Sequence, residues 1–170
     1  MHNEPRLEFL FRITAMLGEP ITIGDMLRGT RVVVPVTGGS CDGPYLKARV
    51  VGPGADWVVI RSDGVGVLDV RGQFQTDDGA SIFVHYSGYL SRVVELMPRW
   101  AAGEAIPRDE YYFGSTPYFE TSASQYAWLQ NVVTFGIGEL IKGGVAYDVY
   151  AVGSALGANP LPRKAAAATA

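Results

Sequence analysis

One cysteine, two histidines and no surplus of positive charge are what the 170-residue chain offers to the commoner kinds of site, and each shortage removes a class of function. Cys41 has no second thiol in the chain, so neither an internal disulfide nor a thiolate zinc cluster can form. His2 sits near the N-terminus and His85 stands alone in its stretch, so no metal-ligand spacing is visible. The expectation is a protein that works without a metal or other cofactor. A formal charge of −3 supplies no basic field for phosphates, which argues against a nucleic acid partner. No run of about 18 apolar residues exists for a membrane helix. The opening MHNEPRLEFLF carries acidic residues and no long apolar stretch, so it does not read as a signal peptide. With the lone cysteine, this gives a cytoplasmic expectation. Walker loop, nucleophile elbow and dinucleotide fingerprint are all missing. The glycine-rich stretch from Thr37 to Pro44 lacks the lysine and following helix of a phosphate loop, and reads as a turn.

What is present is strand and turn material. The chain is 48% hydrophobic with 21 glycines and 10 prolines, a balance that fits short strands joined by tight turns in a single domain. Residues 7–16 alternate Leu7, Phe9, Phe11 and Ile13 with Glu8, Leu10, Arg12 and Thr14, the period of a strand. Residues 18–25 read as a turn, 31–36 and 45–51 as strands, and 56–61 as a strand closed by Ser62-Asp63-Gly64. Asp77-Asp78-Gly79 lies between two alternating runs and marks a hairpin. A three-residue loop makes partner numbers sum to 156. That register puts Asp69, Arg71, Gln73, Gln75, Ser81, Phe83, His85 and Ser87 on one face, with Leu68, Val70, Gly72, Phe74, Ile82, Val84 and Tyr86 on the other. A slip of one residue mixes the faces, so the segregated register is preferred.

Residues 91–111 break the pattern, with Pro98 and Pro107 interrupting a short helical turn, and read as a long loop or lid. Aromatic-rich strand material follows at 111–121, a helical cap at 122–125, and further strands at 131–138 and 145–152. The last of these alternates Val145, Tyr147, Val149 and Ala151 with Ala146, Asp148, Tyr150 and Val152. The expected architecture is all-β: one antiparallel barrel over residues 1–153 with short helical turns, then a mobile tail over 154–170 that is poor in large apolar groups.

Few residues are left to carry chemistry. Asp69 and Arg71 share one face two residues apart. Facing outward they form a screened ion pair; facing inward, Arg71 could hold a substrate carboxylate or enolate with Asp69 orienting it. Glu120, between Phe119 and Thr121, would become a general acid or base if buried. Tyr86 and His85 could also move protons. Trp57, Tyr112, Tyr118, Tyr126 and Trp128, with Asn131, are the candidate lining for a small hydrophobic or aromatic molecule, and each tyrosine or tryptophan could equally be a core side chain with a satisfied polar tip.

Gly54-Ala55-Asp56-Trp57, Leu68-Asp69-Val70-Arg71, Thr76-Asp77-Asp78-Gly79, Phe119-Glu120-Thr121, Tyr126-Ala127-Trp128-Leu129 and Tyr147-Asp148-Val149-Tyr150 occur in that order. Together they resemble the family called domain of unknown function 3237, across about residues 7–152. The resemblance implies a lipocalin-like β-barrel, and some relatives look like cofactor-free enzymes acting on aromatic compounds, non-oxidative decarboxylation included. Gln130 and Gly114 depart from the family pattern, which bears on substrate choice.

Two functions from different classes follow. One is a cofactor-independent lyase or isomerase, such as a decarboxylase or cyclase, acting on a small aromatic or polyketide-like substrate. The other is a lipocalin-like carrier of a hydrophobic metabolite. A buried, perturbed acid in contact with the pocket separates them, because carriage needs none. A homodimer through barrel faces is compatible with either.

Overall fold

A computed structural model describes residues 4–154 and 161–162. Ten strands form one antiparallel sheet: β1 (Pro5–Leu17), β2 (Ile21–Met26), β3 (Gly29–Asp42), β4 (Lys47–Asp56), β5 (Val59–Ile60), β6 (Gly66–Thr76), β7 (Ser81–Leu90), β8 (Phe113–Glu120), β9 (Thr134–Ile141) and β10 (Gly144–Ser154). The neighbours run β1-β10-β9-β8-β7-β6-β4-β3, and β3 pairs back onto β1, so eight strands close a barrel. Closure removes the sheet's end-to-end edges, although β8 and β9 pair only at Gly114–Ile137 and Ser115–Gly136. The short β2 lies outside the ring on β3, and β5 bridges β3 and β6.

The alternation in the sequence becomes the wall of this barrel. Arg71 pairs with His85 and Val70 with Tyr86, the register in which partner numbers sum to 156. Leu68, Val70, Phe74, Ile82, Val84 and Tyr86 are buried inside, while Asp69, Arg71, His85 and Ser87 lie on the outer wall. On β10 the inward set includes Tyr147, Val149 and Ala151.

Residues 52–55, read as a break between two strands, lie inside β4, and three further segments differ more from the sequence reading. Residues 21–26, expected as part of a turn, form β2, because the long β3 offers a free flank for Ile21 to pair with Val33. The Thr37–Pro44 stretch is no isolated turn, since β3 runs through it to Asp42. Gly39 adopts φ +136° there, and a Cβ at this position would collide with the Thr14 carbonyl; glycine is what lets β3 approach β1 and shut the ring. The stretch expected as a long loop contains helix α1 (Val93–Ala101), with Pro98 inside it. Short as it is, the helix buries Val93 and Leu96 and lies over one mouth of the barrel. The expected tail falls, apart from Ser154, Leu161 and Pro162, outside the described residues.

The two ends of the interior are filled differently. At one end Phe119 packs edge-on to Phe11 with centroids 5.6 Å apart and lies 6.4 Å from Phe74. A 3₁₀ segment, Ser124–Asn131, closes that end with Leu129 buried. The other end, under α1, is hollow.

Candidate functional site

The hollow is a cavity of about 100 Å³. Leu68, Val70 and Leu90 line its wall, with Phe113, Val93, Met97 and Trp100 above. Room for the Phe113 ring comes from Gly138, where any Cβ would strike it. The Trp100 indole donates to the Ile141 carbonyl at 2.6 Å, fixing the helix over the mouth. Arg99 anchors the same helix through Glu104 and Glu110, the latter at 2.7 Å.

Three polar side chains enter this apolar space: Asp56, Tyr86 and Tyr147. Asp56 ends β4 opposite Val70 and so points inward with it. Burial pushes its carboxyl up to about 6 from the usual 3.8. The Asp69 main-chain N–H, donating to Oδ1 at 3.0 Å, pulls the other way. The Asp69 charge raises the value and Arg31 lowers it. A carboxyl tuned this way exchanges a proton near neutral pH, which is the property general acid–base catalysis needs.

Tyr86 and Tyr147 pack edge-on with ring centroids 5.1 Å apart, and their phenols are hydrogen-bonded to each other. Burial holds both above the ordinary phenol value; their mutual interaction lowers Tyr86 and raises Tyr147, and the nearby Asp56 charge raises both by less. Both therefore remain hydroxyl donors throughout the physiological range.

Of the residues expected from sequence, only Tyr86 lies in this cavity. Arg71 is on the outer wall: its guanidinium sits 3.1 Å from Asp69 and 5.5 Å from the centre of the Trp57 ring. The inward alternative for Arg71 is thereby corrected, because the favoured register places it with the outward set. His85 is outside too, with Nε2 2.9 Å from Asp69 Oδ1 and its ring edge-on to Tyr118. The burial on which Glu120 depended is absent. Phe119 is the inward residue of that strand and Glu120 is exposed, since sequence neighbours on a strand face opposite sides. We expect Glu120→Gln to leave the binding of a phenol probe within experimental error, measured by calorimetry.

Tyr112 is exposed on the outer surface. Tyr126 and Trp128 belong to the closed end, where the Tyr126 hydroxyl approaches Asp78 at 3.3 Å and Trp128 packs 5.7 Å from Tyr45. Asn131 is exposed and donates to the Ala127 carbonyl at 3.4 Å. Tyr147 was readable from the alternation of its strand, but Asp56 was not. The register irregularity between Val51 and Ala55 keeps the inward phase, since Ala48 pairs with Thr76, Val50 with Phe74 and Asp56 with Val70. The sequence reading ended one strand at Val51 and began another at Asp56, whereas β4 runs through both, so the phase was not carried across. Among the described residues, no group of three or more histidine, cysteine, aspartate or glutamate side chains could hold a metal ion. No helix among them is long and apolar enough to cross a membrane.

Fold and cavity together define a single-chain, eight-stranded antiparallel β-barrel whose apolar hollow holds one carboxyl and two phenols. The chain belongs to the family described as protein of unknown function (DUF3237), whose sequence profile matches residues 5–152. A UPF0311 protein of Rhodopseudomonas palustris, RPA1785, is 33% identical over 150 residues, spanning 87% of this chain and 98% of that one. The crystal structure of RPA1785 superposes with a TM-score of 0.82 at 30% identity, covering 89% and 99% of the two chains. A β-barrel-like protein from Acinetobacter baumannii gives 0.74 at 32% identity, covering 90% and 100%. The hydroalkoxylation enzyme phnH of Penicillium herquei is 28% identical over 132 residues, 78% of this chain and 73% of that one. The structure of an enzyme from the same fungus gives a TM-score of 0.68 at 25% identity, covering 90% and 98%.

Proposed function

We propose that this chain is a cofactor-independent acid–base enzyme, a lyase or isomerase acting on a small aromatic or conjugated substrate inside the barrel. Asp56 moves the proton. The Tyr86–Tyr147 pair donates a hydrogen bond to oxygen charge that develops on the substrate. The observation that supports this reading most is the Asp56 carboxyl, raised to about 6 by burial in an apolar hollow beside two phenols. A cavity that only carried a hydrophobic guest would gain nothing from it.

The relationship to a hydroalkoxylation enzyme suggests one form the chemistry takes, the addition of an alcohol O–H across a C=C bond. Protonated Asp56 gives its proton to one alkene carbon, the hydroxyl oxygen bonds to the other, and the hydroxyl proton returns to the Asp56 carboxylate. Atoms and charge balance without an oxidant or reductant. The same groups suit decarboxylation, in which the C–C bond breaks to release carbon dioxide, the freed carbon takes the Asp56 proton, and the proton of the substrate carboxyl, given up as it ionises, restores the Asp56 carboxyl. Excluding water strengthens each polar contact to the developing charge.

The cavity of about 100 Å³ is smaller than an engineered cavity of roughly 150 Å³ that holds benzene. A guest of one ring or more therefore requires α1 to lift, and Val93, Met97 and Trp100 are the cavity-lining side chains that lift with it. Trp100→Ala is expected to strengthen the binding of a bicyclic probe such as 2-naphthol relative to phenol, read by calorimetry, while lowering the thermal midpoint.

The test of function is solvent exchange. Single-ring alkenyl phenols, hydroxybenzoates and enolisable aryl ketones are incubated with the protein in deuterium oxide, and deuterium at carbon is followed by NMR. Exchange or turnover by the native chain that Asp56→Asn lowers on the order of 10²-fold or more, and Tyr86→Phe by a smaller factor, supports the reading. Probes that bind in the cavity with no exchange at any carbon across the set select the carrier instead.

A further inference from the structure

We propose that Asp69, clamped on the outer wall by His85 and Arg71, is a positioning residue that holds the Asp56 carboxyl in its place inside the cavity. The geometry begins where β4 ends. Trp57 N–H donates to the Asp69 carbonyl at 3.0 Å, but the Asp69 N–H takes the Asp56 side chain as its acceptor, at 3.0 Å. Asp69 therefore faces both ways: its main chain grips the inward carboxyl, and its own side chain lies on the outside.

That outer side chain is fixed from two strands. His85 of β7 approaches Asp69 Oδ1 at 2.9 Å, and Arg71 of β6 reaches the same oxygen at 3.1 Å. The two clamps are themselves held, Arg71 over Trp57 at 5.5 Å and His85 edge-on to Tyr118 at 5.3 Å. Because Arg71 and His85 are direct cross-strand partners, the barrel register alone brings both to Asp69. Movement of the Asp69 side chain would shift the N–H on which Asp56 is seated.

The same arrangement couples charge across the wall. The groups that face Asp56 are Asp69 from β6, Arg31 from β3, Tyr86 from β7 and Tyr147 from β10; those that face Asp69 are His85, Arg71 and Asp56. Burial raises the Asp69 carboxyl, but His85 and Arg71 together bring it below its ordinary value, so it stays a carboxylate. Its negative charge favours the protonated form of Asp56, and Arg71 partly cancels that charge.

The catalytic consequence rests on Asp56 acting on substrate; the coupling itself does not. The experiment follows the Asp56 carboxyl by ¹³C NMR against pH in the full-length native protein, Asp69→Asn and Arg71→Gln, with Asp56→Asn identifying the signal. Asp69→Asn is expected to move the Asp56 midpoint down, and Arg71→Gln to move it up by leaving the Asp69 charge less compensated. Opposite directions are the signature, because a loosened wall admitting water would move both down. A midpoint unmoved in both variants, or lowered in both, overturns the proposal. Where substrate is turned over, kcat should follow the shifted Asp56 profile with KM little changed. Opposite NMR shifts with no turnover of any probe would end the enzymatic reading and leave the coupling standing. Asp56-dependent turnover with an unmoved midpoint in both variants would do the reverse.

Discussion

Asp56→Asn is expected to abolish proton transfer while making the protein more stable at pH 8. The two effects share one cause. In the folded chain the Asp56 carboxyl holds its proton up to about 6, against 3.8 for the free group. A carboxyl raised on folding is at no disadvantage below its unfolded value. It destabilises the fold progressively as pH climbs from about 4 to about 6, and fully above that. A difference of about two pH units corresponds to roughly 3 kcal/mol, of which the amide recovers a part, since its NH₂ also lacks a partner in the apolar cavity. A gain of about 1–3 kcal/mol at pH 8 should therefore shrink to nothing or a small loss at pH 4, measured by urea unfolding at both values. The Asn carbonyl still accepts the Asp69 N–H, so the wall remains intact. A variant that is inactive because it has lost its fold would show the opposite stability change.

The second large effect lies at the other end of the barrel. Phe119→Ala should destabilise the fold by about 3–5 kcal/mol, the usual cost of emptying a buried phenylalanine site. Phe119 is 1% exposed and makes ring contacts to Phe11 and Phe74, so neighbouring rings cannot easily collapse into the space. Against a typical total of about 5–15 kcal/mol, this is a large fraction, visible as a markedly lower urea midpoint. The cavity under α1 is lined by other residues, so the Asp56 titration should be unchanged in the surviving folded protein. A simultaneous shift would mean that the two ends are not independent.

Much of the wall was legible because period-two alternation is dictated by a one-sided core. The Asp77-Asp78-Gly79 hairpin fixed the register of β6 and β7, and with it which residues share a face: Tyr86 on one, Arg71, Asp69 and His85 on the other. What the sequence left open was which of those faces the hollow lay behind. The strand and turn pattern reached the barrel, the resemblance agreed with it, and the pairing of β3 with β1 closes it. Glu120 misled because its apolar neighbours in sequence are not its neighbours in space. Asp56 was hidden for a different reason: residues 52–55 read as a break between two strands, so the inward phase of Ala48 and Val50 was not counted on to residue 56, although β4 runs unbroken to it and keeps that phase. Its identity as the one carboxyl lining the cavity among the described residues emerges only when β4 is placed against β6.

The role given to the barrel interior stands or falls with one proton. In the native protein, the ¹³C-carboxyl signal of Asp56 followed from pH 3 to 9 should titrate with a midpoint of about 6, well apart from the exposed carboxylates. A midpoint near 4, among the surface aspartates, would contradict the account, because a carboxyl so easily ionised is neither desolvated nor poised to exchange a proton with a guest.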